Sequence, residues 1–168
     1  MSLSMYQASV PVFIRMLSNL DAILDKALAH AEAGGFDSTV LVNARLAPDM
    51  YPLARQIQIA TDAVKGCVAR LAGVDVPSYA DSEASIAELK ERIAKTQAFV
   101  QTFKPEQIDG SEDKTINIKL PSRELSFDGQ MFLLHFALPN FYFHISCSYA
   151  ILRHNGVKIG KMDFLGAV

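Results

Sequence analysis

Asn140 and His144, an amide and an imidazole four residues apart, are the strongest candidates for a reactive or ligand-binding pair. Successive helical residues turn by about 100°, so positions four apart lie roughly 40° apart and one turn apart on a helix surface. That spacing lets two imidazoles grip one metal ion. Here the first position is an amide, which opens a plainer use: a buried His–Asn pair that satisfies each other's polar groups. His144 and Cys147, three apart, are also metal-ligating types. Two ligands make no zinc site, however, and no further Cys–His cluster accompanies them. Tyr142 and Tyr149, seven apart, fall on one side of a helix and could line a pocket with their hydroxyls. His135 precedes His144 by nine residues and so faces about the opposite side. His30 and His154 fall in last helical turns, where a histidine interacts well with the helix dipole.

Most of these residues lie in one stretch, Gln130 to Leu152, which carries no Asp, Glu, Lys or Arg and is rich in Phe, Leu and Ile. Pro139 interrupts it. A segment so free of charge is buried on most sides, and polar groups inside it must be hydrogen-bonded or have a task. Its length raises the question of a membrane span. His135, Asn140, His144 and the mid-segment proline are costly in lipid, and a buried helix of a bundle accounts for the same pattern. The aromatic residues Phe132, Phe136, Phe141, Tyr142, Phe143 and Tyr149 are most simply core. No Gly-rich phosphate loop, no Gly-x-Ser-x-Gly elbow and no close pair of carboxylates on an apolar face accompanies them.

The chain around this stretch has 168 residues, half of them hydrophobic and a fifth charged, with a net charge of −2. That suits a single globular domain over 1–168. The basic residues form no run, so nucleic acid and acidic membranes are not expected partners. Two isolated cysteines, Cys67 and Cys147, make no disulfide framework and fit a reducing cytoplasm. The opening Met1-Ser-Leu-Ser-Met-Tyr6 lacks the pattern of a signal peptide.

Four helices are predicted. The first runs from about Ser4 to Ala33, with Val10, Phe13, Leu17, Leu20 and Leu24 on one stripe. Pro11 should bend it, and Gly34-Gly35 ends it. The second opens at Asp49 as cap, carries Leu53, Ile57, Ala60, Val64 and Val68 inward, and closes at Gly73. A short helical turn is expected in the linker between them. The third starts near Asp81, or a turn later with Ser85 and Glu88 as a capping box, and ends at Pro105. Glu88–Arg92 and Glu91–Lys95 are expected as pairs on its solvent face. Ile116, Ile118 and Leu120 then alternate with polar residues, Pro121 to Glu124 read as a turn, and Leu125 and Phe127 alternate again. This predicts a β-hairpin. The fourth helix follows Asp128-Gly129 and ends at Gly156. The tail from Val157 reads as irregular. The result is an all-α four-helix bundle with a short β-hairpin between helices three and four.

The runs Leu138-Pro-Asn-Phe-Tyr-Phe-His144, Tyr149-Ala-Ile-Leu-Arg-His-Asn-Gly156 and Gly160-Lys-Met-Asp-Phe-Leu165 resemble a bacterial domain-of-unknown-function family. Met5 to Pro11 and Pro48 to Ala54 fit it too. That family is similar to the DinB/YfiT-like superfamily of four-helix bundles, many of which are read as metalloenzymes. The resemblance implies a DinB-like bundle and a homodimer. It also implies a divalent metal, nickel or zinc, held by one histidine of helix two and a His-x-x-x-His of the last bundle helix. Counted from Asp49, the helix-two position falls on Gln56, and the other two look like Asn140 and His144. One imidazole of three is left, and amides are poor ligands for these metals. No tightly held metal is therefore expected, and Gln56, Asn140, Tyr142 and His144 become candidates for a small-molecule site. The other readings are a metal- or thiol-dependent transferase or hydrolase using His144, and a structural homodimeric interaction module.

Overall fold

The computed structural model describes residues 3–120 and 123–166. Four long helices form the bundle expected: α1 (Met5–Gly34), α3 (Leu53–Ala72), α4 (Ile86–Gln101) and α7 (Leu138–His154). Short helices α2 (Thr39–Asn43), α5 (Pro105–Ile108), α6 (Gly129–Met131) and α8 (Lys161–Leu165) join or close them. A two-stranded antiparallel hairpin, β1 (Thr115–Leu120) and β2 (Arg123–Asp128), stands between α5 and α6. α3 packs between α4 and α7, and α1 covers α4 and α7 from the other side. Phe13, Leu17, Leu24, Ile57, Val64, Ile93 and Phe141 are all fully buried at the centre. The rings of Phe13 and Phe141 meet edge to face at 5.1 Å. No helix among the described residues is long and apolar enough to cross a membrane.

Local chemistry sets most helix ends. Ser4 and Ser85 each cap a helix by accepting the N–H three residues on, and Gln7 and Glu88 reach back to complete both capping boxes. Gly35 and Gly73 end α1 and α3 in the left-handed region. One expected cap is corrected. Asp49 does not open α3; Pro52 stands at its N-cap and Asp49 lies in the turn before. The residue ahead of a proline is driven toward extended backbone, so helix cannot run back through Tyr51.

The hairpin register pairs Ile116 with Phe127, Ile118 with Leu125 and Leu120 with Arg123. Arg123 and Glu124, expected in the turn, are therefore strand residues, because this pairing leaves only two residues to connect the strands. Those two, Pro121 and Ser122, lie outside the described residues. The tail also departs from expectation, since α8 docks on α1. Asn19 Nδ2 donates to the Phe164 carbonyl at 3.0 Å, and Lys26 pairs with Asp163 at 2.5 Å. Tyr149 meets Phe164 edge to face at 5.8 Å and lines an open recess with Ser146, Lys161 and Phe164, not with Tyr142.

The charge-free stretch is one continuous helical run with a π-helical segment, Phe132–Ala137, near its start. Pro139 has no N–H to give the carbonyl four residues back. The Leu138 N–H instead reaches Leu133, five residues back, so the proline is absorbed by one widened turn. Gly129 starts the run under close constraint: a Cβ there would stand 1.9 Å from the Ser111 carbonyl oxygen.

Candidate functional site

The first turn of α3 and the middle of α7 bring Gln56 and His144 together. Both are buried, at 1% and 8% exposure. Gln56 Nε2 donates to the Tyr51 carbonyl at 3.1 Å, which fixes the amide and aims Oε1 at the imidazole. His144 Nδ1 lies 2.7 Å from that oxygen. An amide oxygen only accepts, so Nδ1 carries the proton and the neutral ring keeps its lone pair on Nε2. Burial, with a further contribution from the Arg55 guanidinium, holds the His144 pKa below its ordinary value. The imidazole is therefore neutral at pH 7. Phe143 packs edge to face on it at 5.2 Å and is itself 56% exposed. The site is a neutral imidazole held in one tautomer, with an aromatic rim.

The other two candidates lie elsewhere. Among the described residues no hydrogen bond joins Asn140 to His144. Asn140 is half-buried and lines a separate cavity with Ala63, Arg70 and Phe136, one turn along α7. Tyr142 is two residues from His144, about 200° round the helix, and residues so spaced do not face each other. It lies against Phe141 and is partly exposed, and partial burial raises its phenol pKa. Cys147 is buried, which raises its thiol pKa as well. His30 Nε2 contacts the Asn155 carbonyl at 3.2 Å, and His135 and His154 are exposed.

The three-imidazole metal set implied by the resemblance does not fit the residues present. Gln56 Oε1 is already committed to His144 Nδ1, and Asn140 points to another cavity. No group of three His, Cys, Asp or Glu able to hold a metal occurs among the described residues.

A second polar centre, which local sequence patterns do not predict, lies where α3 faces α4. Arg92, expected on a solvent face opposite Glu88, is 3% exposed, while Glu88 serves the helix cap. Its Nε donates to Thr61 Oγ1 at 2.7 Å, and Nη1 to Glu83 and to the Ala80 carbonyl, both at 2.9 Å. Nη2 reaches Asp62 at 2.8 Å and Asp81 at 3.1 Å. Gln58 Nε2 donates to the second oxygen of Glu83 at 2.8 Å. Burial raises the Glu83 carboxyl, and the hydrogen bonds from Arg92 and Gln58 outweigh it and hold the pKa below the usual value. Tyr79 lies under three cations, Lys65 at 4.8 Å, Arg92 at 5.5 Å and Lys95 at 4.2 Å from its ring centre. The expected Glu91–Lys95 pair thus gives way to Lys95 over a ring. These contacts tie the loop between α3 and α4 to both helices. A signal for Arg92 was present: it follows Leu89 by three and precedes Thr96 by four, within the buried stripe.

Residues 5–165 match the family described as domain of unknown function DUF1993. The chain is also similar to the crystal structure of a DinB family member protein from Shewanella denitrificans. The two share 45% sequence identity over 97% of this chain and 92% of that one, with a TM-score of 0.88. No curated protein matches the chain significantly.

Proposed function

This chain belongs to the DUF1993 family and has the DinB-like bundle fold; from that premise we propose that it is a metal-independent binding protein for a small hydroxyl-bearing molecule, received at His144 Nε2. The observation that carries this reading is the 2.7 Å hydrogen bond between Gln56 and His144. It consumes one ring nitrogen as donor and leaves the other as an acceptor. A neutral acceptor suits a hydroxyl, and the exposed ring of Phe143 beside it suits an apolar body on the same ligand. Gln56 acts as the positioning residue, since it selects the tautomer. The unpaired cysteines, Cys67 and Cys147, fit a reducing compartment such as the cytoplasm.

The test uses protein purified without chelator or nickel column. Metal analysis is expected to find no stoichiometric nickel or zinc. Long-range 1H–15N NMR is expected to find His144 with its proton on Nδ1, and added phenol should shift Nε2 saturably. Stoichiometric metal bound to His144, or a proton on Nε2, would overturn the proposal, as would an Nε2 signal indifferent to phenol.

A second reading, a homodimer, is supported by a different observation. The charge-free stretch is not wholly inside: Met131, Leu134, Tyr142 and Phe143 are 47%, 44%, 37% and 56% exposed along it. Apolar surface unrelieved by charge is the composition of an interface core. Leu134→Glu is expected to convert a dimer to monomer in sedimentation analysis; a wild-type protein monomeric at about 100 μM would count against this reading, since weak association at that level corresponds to Kd values above the micromolar range.

A further inference from the structure

Arg70 differs from the other partly or fully buried cations of this chain. Lys65, Lys90 and Arg92 are paired with carboxylates, and Arg55 is paired with Asp81. Arg70, half-buried in the last turn of α3, has no ion pair or hydrogen bond among the described residues. Its guanidinium lies over the α-carbon of Gly66, where a Cβ would stand 2.5 Å from Nη1. The end of a helix explains a positive charge there. It does not explain why the half-buried amide of Asn140, equally without a partner among the described residues, lines the same cavity.

That cavity holds about 70 Å3 between α3, β1 and the π segment. One water needs roughly 10–15 Å3 of such space, so there is room for a small organic ion. Two of its lining residues are small, Ala63 of α3 and Ala137 of the π segment. Phe132 and Phe136, stacked at 6.0 Å, wall one side, and no carboxylate lines the cavity. A guanidinium fork and an amide N–H2 beside apolar rings match one chemistry well. A planar carboxylate takes two parallel hydrogen bonds from an arginine, and a short alkyl end takes the rings. A tetrahedral dianion would meet a single cation and apolar walls, which leaves most of its oxygens unsatisfied.

We propose that this cavity is a binding site for a small monocarboxylate of about acetate to propionate size, held by Arg70 and Asn140 with its alkyl end against Phe132 and Phe136. The site is separate from the Gln56–His144 pair and does not depend on it.

The test is an NMR titration of the 15N-labelled full chain with sodium acetate, against sodium chloride and sodium sulfate at equal ionic strength. The signals followed are Arg70 Nε–Hε and the Asn140 side-chain amide. Both are expected to shift saturably with acetate and not with the inorganic anions. Arg70→Gln should weaken acetate binding, read at Asn140, by about tenfold or more, since a hydrogen bond to a charged group is lost. Arg70→Lys keeps the charge without the fork and should also weaken it; it decides the matter if Arg70→Gln fails to fold. Equal responses to chloride or sulfate would mean an unselective counter-ion site and would overturn the proposal. So would unchanged acetate affinity in either folded variant, or no saturable shift at all.

Discussion

Replacing Arg92 by alanine is expected to lower the unfolding free energy by about 3–5 kcal/mol, because removing one member of a buried charge cluster strands the others. Three carboxylates, Asp62, Asp81 and Glu83, converge on this guanidinium, as do the Thr61 hydroxyl and the Ala80 carbonyl. Without it the carboxylates face each other across the loop between α3 and α4. Asp62 and Asp81 are more than a third exposed and can turn to water, so the value should fall toward the lower end of that range. Glu83 is far less exposed and cannot do so as easily. Urea unfolding at pH 7 measures the loss. Arg92→Lys should recover part of it, since an ammonium keeps the charge but cannot serve so many acceptors in a planar fork. Glu91→Ala, at an exposed position of the same helix, should stay within about 0.5 kcal/mol. An Arg92→Ala variant as stable as wild type would mean that this network adds nothing to the fold. Acid should act at the same place. The Glu83 pKa is held below its ordinary value, so its contribution is complete above about pH 4.3 and is lost as pH falls through the folded value.

The second large effect is expected at His144. His144→Ala should cost about 1–3 kcal/mol, because Gln56 Oε1 is left buried without its donor. Gln56→Ala should cost a similar amount. The double variant should lose less than the sum, since each single change already breaks the one hydrogen bond they share. The pair also predicts a pH dependence whose sign follows from burial. The folded pKa of His144 lies below the unfolded value of about 6.5. As pH falls below about 6.5 the unfolded chain takes up the proton first, so stability declines until the folded pKa is passed. His144→Gln should remove this part of the decline. Identical pH profiles for the two proteins between pH 7 and pH 5 would contradict a buried neutral imidazole.

Much of the bundle was legible because its causes are local. Ser85 and Glu88 lie three residues apart, and the capping box they form needs nothing beyond its own turn. Ile57, Val64 and Val68, or Leu17, Leu20 and Leu24, recur at the helical period, and all are buried. The alternation from Ile116 to Phe127 predicts the hairpin, with a turn two residues wider than the register leaves. Asp49 misled because a good capping residue and a proline competed for one helix start, and the proline restricts the backbone more strongly. The candidate site was less legible. Gln56 came from a family resemblance, as nothing in its neighbours marks it as a partner for a residue 88 positions away. The four-residue spacing of Asn140 and His144 groups them as one site, since four residues make one helical turn. One turn is also about 5.4 Å of rise, enough for the two side chains to meet different residues of α3.

The four helices, the hairpin, most of the ends and the faces turned inward follow from local sequence, because periodicity and capping act within a few residues. The lack of charge around Pro139 overstates the burial of that stretch, because Met131, Leu134, Tyr142 and Phe143 stay exposed along it. Which polar groups meet inside is set by the packing of the helices. His144 is joined to Gln56, Arg92 to three carboxylates, and Asn140 shares a cavity with Arg70. Those choices depend on how far α3, α4 and α7 slide along one another. A shift of one turn would exchange every partner while leaving each helix's own pattern intact.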